Sequence, residues 1–322
     1  MKRLVPVVVC AVFTAASASR AQSPIFPDHP IRMIVPFEAG GPNDILGRIV
    51  AKKAGEYLQQ TIIVENRTGA GGALGTDSVA RATPDGYTLL FSGTSSLSIV
   101  PLLQKAVAYD PLKSFAPVAL VGEAPSVLIV SPSMPVKSVP ELIAQAKRKP
   151  NTYNFGSGGI AATPYLAGEM LKSMSGIDIV HVPYKGAAPA LLGLMSNNIQ
   201  IYFGGITAIL PLIKSEKVRA LAVTSVKRTP LLPDLPTVAE TVPGFEVVNW
   251  YGALAPAGTP PNIVARLHDA VAEAGKDQEV RKALADLGID PIAGSSDEMR
   301  NYMKRELDKW GGVIKAAGLQ PE

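Results

Sequence analysis

Two α/β domains joined by a hinge are what this sequence predicts, on three observations. Short apolar runs closed by turn residues alternate with helical patterns between residues 31 and 92, the rhythm of a parallel sheet covered on both faces. That rhythm restarts at Val127 and runs to Val223. The chain has 322 residues, too many for one ordinary core and comfortable for two domains of ~150 residues.

The N-terminus sets the compartment. Lys2 and Arg3 form a positive start, residues 4–13 an apolar core, and residues 15–21 a run of small side chains, which together read as a secretory signal peptide over 1–21. Cleavage after Ala21 fits the small-x-small rule, and cleavage after Ala18 fits it nearly as well. The apolar stretch is about half the ~20 residues that span a bilayer. Cys10, the single cysteine, follows bulky Val9, which argues against a lipid-acylation site. The mature chain of 301 residues therefore has no cysteine, which excludes disulfides, thiolate metal sites and thiol nucleophiles. Lys2, Arg3 and Arg20 leave with the leader, so the charge of +4 falls to +1, 28 basic against 27 acidic residues. No like-charge run or basic-aromatic stripe supports nucleic-acid binding.

In the first domain, strands are expected at 31–36, 61–64 and 87–92 and helices at 45–58 and 74–82. In the second, a strand at 127–130 leads to a helix at 140–147, a strand at 153–155, a helix at 165–174, and strands at 178–182, 199–203 and 220–223. Residues 250–255 read as a strand returning to the first domain, with an exit turn over 256–261. Ile263, Leu267 and Ala270 share one helical face, and Met303, Leu307, Trp310 and Ile314 another at 4, 3, 4 spacing. Both stripes are expected to be core, packed on the first domain. The domains are therefore assigned as 22–124 with 247–322, and 125–246, two crossings making a hinge.

Two glycine-rich turns carry the functional reading. Phe37, Glu38, Ala39, Gly40, Gly41, Pro42, Asn43 and Asp44 lead from the first strand into a helix that Asn43 or Asp44 is suited to cap. Gly156, Ser157, Gly158, Gly159, Ile160, Ala161, Ala162 and Thr163 precede a helix with Pro164 near its start. Glycines bring free backbone N–H groups close to an anion at the positive end of a helix. In two domains, at the carboxyl ends of strands, such turns would face each other across a cleft. Neither has the lysine of a nucleotide P-loop. A third cluster, Gly69, Gly71, Gly72 and Gly75, misses the dinucleotide fingerprint because Leu74 stands where glycine is required.

Enzyme motifs are missing. The three histidines, His29, His181 and His268, form no metal or hydrolase signature. Ser157 with His181 is conceivable as the nucleophile and base of a secreted hydrolase, with no orienting acid at a telling spacing. No cofactor or metal is expected.

A series of ordered motifs then resembles one family. Phe37-x-x-Gly40-Gly41-x-x-Asp44, Glu65-Asn66-Arg67-x-Gly69-Ala70-x-Gly72, Pro84-Asp85-Gly86-Tyr87, Leu166-Ala167-Gly168-Glu169, His181-Val182-Pro183-Tyr184-Lys185-Gly186, Ala188-Pro189-Ala190, Leu221-Ala222-Val223-Thr224, Leu235-Pro236-Thr237-Val238-Ala239-Glu240 and Ala255-Pro256-Ala257-Gly258-Thr259-Pro260 occur in the order seen in Bug-type periplasmic solute-binding proteins. The resemblance covers nearly the whole mature chain. It implies a type II periplasmic-binding-protein fold, a periplasmic location and, as partners, a small carboxylate and a tripartite tricarboxylate-type permease or a sensor kinase, the receptor itself a monomer. Carried over by position, it places Phe37, Gly40, Gly41, Asn43, Asp44, Ser157, Gly158, Ala161, Ala162 and Thr163 at the ligand, with Thr94, Ser95 and Gly204 lining the same cleft. Ala162 stands where the family commonly has a hydroxyl residue and Tyr165 where it has histidine. Gln200 and Gly204 occupy positions often acidic, where an acid would meet a ligand amine. These departures favour a dicarboxylate, tricarboxylate or aromatic carboxylate over an amino acid.

Overall fold

The computed structural model of the protein describes residues 26–159 and 162–321; the expected signal peptide and Ala161 lie outside them. Along the chain come β1 (Ile31–Val35), α1 (Pro42–Leu58), β2 (Ile62–Asn66), α2 (Ala73–Ala80), β3 (Thr88–Gly93), α3 (Val100–Leu103) and the long β4 (Phe115–Val130). There follow α4 (Val139–Arg148), β5 (Asn154–Ser157), α5 (Thr163–Ser175), β6 (Val180–Pro183), α6 (Ala187–Met195), β7 (Ile201–Gly205), α7 (Ile206–Lys214) and β8 (Arg219–Val223). The chain closes with β9 (Val248–Pro256), α8 (Pro261–Ala274), α9 (Gln278–Asp286), β10 (Asp290–Gly294) and α10 (Ser296–Ala316).

The strands form one array in the order β2-β1-β3-β9-β4-β7-β5-β6, with β10 and β8 also paired to β4. β1 is parallel to β2 and β3, and β5 is parallel to β6 and β7. β4 joins the two parallel groups. Its residues 115–125 pair antiparallel with β9, while its residues 126–130 pair antiparallel with β7, and residues 127–130 also with β8. Because β7 opposes β4 with Gly205 against Ser126, the carboxyl ends of β5, β6 and β7 point back to where β4 changes partners. Gly93, at the end of β3, opposes Tyr251 of β9, so the carboxyl ends of the first group approach the same place from the other side.

Each group of strands is covered on both faces. Ile31, Met33 and Val35 pack with Leu46 and Val50 of α1 and Leu267 of α8, whereas Ile34 on the opposite face packs with Val79 of α2 and Met303 of α10. In the second group, Phe155 and Phe203 face Leu142 of α4 and Leu166 of α5, while Val127 and Tyr202 face Leu194 of α6 and Ile209 of α7. Helix and strand come close where Gly168 of α5 crosses Phe155: a Cβ there would lie 2.2 Å from the ring.

Three features differ from the sequence expectation. β4 is far longer than 127–130, because its first part contains Pro117, Gly122 and Pro125, ordinary strand breakers that the ladder absorbs through register shifts at 117/119 and 120/122. The helices α6 and α7 were not anticipated: α6 is apolar almost throughout and gives little helical period, and α7 carries Pro211, ordinarily a helix breaker, in its interior. Finally, the last helix does not rest on the first group alone. Met299 and Met303 pack with Leu90 and Trp250, but Trp310, Val313 and Ile314 share a core with Leu166, Met170 and Leu171 of α5 and with Ile99 and Leu103. Tyr302 hydrogen-bonds Glu123 of β4 at 2.8 Å, and Lys309 meets Glu246 at 3.7 Å just before β9, so α10 lies along the partner switch like a strap.

Trp310 is fully buried at that crossing. Trp310→Ala is expected to cost about 3–5 kcal/mol and to lower the midpoint of thermal unfolding followed by circular dichroism. An unchanged midpoint would mean that the second half of α10 contributes little to the fold.

Candidate functional site

The turn after β1 is built from its own side chains. Pro42 occupies the first helical position and extended Gly41 is the N-cap, so neither Asn43 nor Asp44 caps the helix as expected. Asp44, the third residue of the helix, folds back: its carboxylate accepts the Gly40 N–H at 2.9 Å and the Asn66 amide at 2.9 Å, and pairs with Arg48 at 2.9 Å. The Asn66 amide also donates to the Phe37 carbonyl at 3.0 Å, so the end of β2 sews down the turn that follows β1. Asp44 is buried at 4 % exposure, and its carboxyl group is spent inside the turn. Gly40 has φ +82°, which favours glycine; Gly41 has φ −78° and no close backbone neighbour, so Gly40 rather than Gly41 is the conformational requirement. Beyond Pro42, which has no N–H, helix geometry leaves the first amides of α1, at Asn43 and Asp44, without intrahelical partners. Asn43 is half-buried, and its side-chain oxygen has no hydrogen-bond partner among the described residues.

The glycine cluster set aside as a failed nucleotide motif lies against this turn. A Cβ on Gly72, the residue before α2, would lie 3.0 Å from the Ser96 Cβ and 3.1 Å from the Phe37 ring, and Ser95 donates to the Gly71 carbonyl at 3.2 Å. The segments that follow β1, β2 and β3 therefore form one surface, and Gly71 and Gly72 belong to it. The signal was in the sequence: glycines between a strand and a helix start, as in the first turn. Thr94 is 3 % exposed, with its hydroxyl accepting the Trp250 N–H at 2.9 Å and donating to the Val248 carbonyl at 3.4 Å. Ser95 is only half-buried and opens a π-helical turn, Ser95–Ile99.

The second turn leaves β5 at Ser157 and enters α5 through Ala162, its N-cap, with Pro164 near the start. Gly159 has φ +122°, and Gly158 passes so close to Gly186 that a Cβ would lie 3.2 Å from its Cα. Thr163, the first residue of α5, donates to the Asn249 side-chain oxygen at 3.1 Å. Thr94 and Thr163, from the two groups of strands, thus meet neighbouring residues of β9 across 248–250. Ala161 lies outside the described residues.

The two positions that the family often fills with acids lie toward opposite ends of β7. Gln200 lies at the opposite end of β7, where its amide bonds the Asn154 N–H at 2.9 Å and the Asn197 carbonyl at 2.9 Å, so nothing at 200 faces the turns. Gly204 is buried within β7 opposite Val127, and a Cβ there would lie 2.5 Å from Ile209, which excludes a larger side chain unless Ile209 moves. Concavities of about 740 Å3, beside Ile213 and residues 231–235, and about 310 Å3, between α8 and β10, lie elsewhere, and neither is lined by the turns. Among the described residues, no group of three or more His, Cys, Asp or Glu is arranged to hold a metal.

The Ser157–His181 pair does form, at 2.7 Å, but its hydrogen bonding is wrong for a nucleophile. The Ser157 hydroxyl is also 3.0 Å from the Gly159 carbonyl and 3.1 Å from the Gly159 N–H. All three contacts are satisfied together only if the hydroxyl donates to the carbonyl and accepts from both the amide and His181 Nε2–H. The imidazole then donates where a catalytic base must accept. Burial, and after it Lys172, push the His181 pKa down, favouring the neutral ring.

Known proteins identify the family. A family model described as tripartite tricarboxylate transporter family receptor, TctC, matches residues 46–319. The chain belongs to this receptor family. Protein BugT of Bordetella pertussis is 35% identical over 99% of both chains. The solved periplasmic binding protein BugD is 36% identical, covers 92% of this chain and 100% of its own, and superposes with a TM-score of 0.78. An R. palustris protein solved with adipate is 34% identical over 92% of this chain and 100% of that one, with a TM-score of 0.81. MatC from Rhodopseudomonas palustris, with bound malate, is 33% identical over 90% and 100%, with a TM-score of 0.76. The fold is that of TctC/Bug-type periplasmic binding proteins, and the family is one of solute receptors, not enzymes, which removes the hydrolase reading of Ser157.

Asp44 yields a test. Burial alone would raise its pKa, but Arg48, the Gly40 N–H and the Asn66 amide outweigh burial and hold it below the usual carboxylate value. A depressed carboxyl contributes stability above its unfolded pKa of about 3.9 and loses it as pH falls through the folded value. Asp44→Asn is therefore expected to lower stability by about 1–3 kcal/mol at pH 7, with the difference from wild type shrinking in thermal melts below about pH 4. A difference independent of pH would show that the charge of Asp44 is not what holds the turn.

Proposed function

We propose that this receptor works in the periplasm and holds a small carboxylate between the turn at Phe37–Asp44 and the turn at Ser157–Thr163, closing two lobes over it, one of residues 22–124 with 247–322 and the other of 125–246. The observation that carries this reading is the convergence on β9: Thr94 bonds Val248 and Trp250, while Thr163 bonds Asn249. Helix starts from both groups of strands are thereby brought to one place, each presenting the positive end of a helix dipole; in α5, Pro164 has no N–H and the Tyr165 N–H already donates to the Ala162 carbonyl, which leaves the N–H of Thr163 for an anion. An anion shared between them needs no arginine. Each helix end contributes ~0.3–2 kcal/mol and each charge-assisted hydrogen bond ~1.5–3 kcal/mol, enough together for micromolar-class binding after ordering costs. The change of β4 partner between Pro125 and Ser126 supports a hinge there.

The adipate and malate bound by the two Rhodopseudomonas relatives support a dicarboxylate, and the family supports delivery to a tripartite tricarboxylate-type permease or to a sensor. No helix among the described residues is long and apolar enough to cross a membrane, which accords with a receptor released on secretion. A thermal-shift screen of the mature protein against dicarboxylates, tricarboxylates and aromatic carboxylates is expected to find at least one that stabilises it, by ~2.7 kcal/mol at 100 Kd. If no acid in such a panel raises the melting temperature and native mass spectrometry finds no copurified anion, the carboxylate reading fails.

A further inference from the structure

His181 has no part in the reading above, yet it stands directly behind the second turn. It is the second residue of β6 and lies opposite Phe155 in the parallel ladder with β5. Side chains two apart on a strand share a face, which makes Ser157 its diagonal neighbour. On that face the Tyr165 ring of α5 packs 4.4 Å from the imidazole, and Lys172 is held by Glu169 at 3.0 Å, leaving Nε2 directed at Ser157.

The Ser157 hydroxyl closes a small ring with the peptide of Gly159, accepting its N–H and donating to its carbonyl. Gly159 is a residue that the ring must hold, because glycine at φ +122° has no side chain to restrict it and unclamped would visit both signs of φ. The Gly159 carbonyl also accepts the N–H of Ala162, the N-cap of α5, so the clamp extends to the helix start. From β6, Tyr184 N–H fixes the Ser157 carbonyl at 2.9 Å, while His181 fixes its hydroxyl.

We infer that His181 is a positioning residue for the second ligand turn: its Nε2–H holds the Ser157 hydroxyl in the orientation that clamps Gly159 and so sets the backbone entering α5. This inference rests on the proposed carboxylate site but has a readout that needs no ligand.

The experiment compares the mature wild-type chain with His181→Leu, which removes the donor, His181→Gln, which keeps a neutral donor near Nε2, and Ser157→Ala, which removes the hydroxyl. In hydrogen–deuterium exchange without ligand, the peptide covering residues 156–162 is expected to exchange about tenfold faster in the Leu and Ala variants and within about threefold of wild type in the Gln variant, with β9 peptides unchanged. In titrations with adipate and malate, the Leu variant is expected to bind about tenfold more weakly and the Gln variant to recover most of that loss. Wild-type exchange in the Leu variant overturns the inference, as does a Gln variant as disturbed as the Leu one, since the ring would then only fill space. If the Leu variant exchanges faster throughout the chain, the Ser157→Ala profile decides, and an undisturbed turn there overturns the inference. Should wild type bind neither acid, the choice of these two dicarboxylates as ligands fails, while the exchange profiles still decide the role of His181.

Discussion

The antiparallel pairing of β4 with β9, and the change of partner by β4 at residues 125–126, is the constraint on which the rest of the molecule depends. Parallel strands carry their helix starts at their carboxyl ends, so two parallel groups have two separate sets of turns. Because one strand runs through both groups, and because β3 and β7 each lie antiparallel to a crossing strand, both sets of carboxyl ends are aimed at the same stretch of ladder. Reversing either would place the turns on opposite sides of the protein. The hydroxyls of Thr94 and Thr163 then fasten the two sets to β9 at adjacent residues.

Around that ladder the polar groups divide their work. Asp44 and Ser157, the residues of the turns with the most obvious chemistry, are turned inward and hold backbone rather than present themselves. In the proposed binding mode, the neighbouring backbone amides at the helix starts are the groups that meet an anion. Arg48, the cation beside the first turn, is itself engaged with Asp44 and Asn66. In the proposed binding mode the charge of the ligand is read through amides and helix dipoles, interactions that any small carboxylate can share.

Local signals made most of the strands, most of the longer helices and both turns legible in the sequence, since alternation and glycine placement act over a few residues. What was not legible is set by contacts far apart in the chain. Val248 and Trp250 lie 154 and 156 residues from Thr94, Asn249 lies 86 from Thr163, and no spacing rule links them. The first part of β4 was hidden because Pro117 and Pro125 break an isolated strand but are tolerated beside register shifts. Asp44 was expected at the helix cap, and Pro42 moved that cap to Gly41, leaving the carboxylate to reach back to Gly40. The stripe through Trp310 was rightly read as core, but which core a helix stripe joins depends on where the helix lies, and α10 spans two.

The central claim is that an anion sits where the two sets of helix starts converge. A crystal structure of the mature protein with a bound carboxylate tests it most directly. The account predicts ligand oxygens within ~3 Å, directly or through one water, of backbone N–H groups at both residues 40–44 and residues 157–163. A carboxylate found instead in the concavity beside residues 231–235, or held by one turn alone, would contradict it.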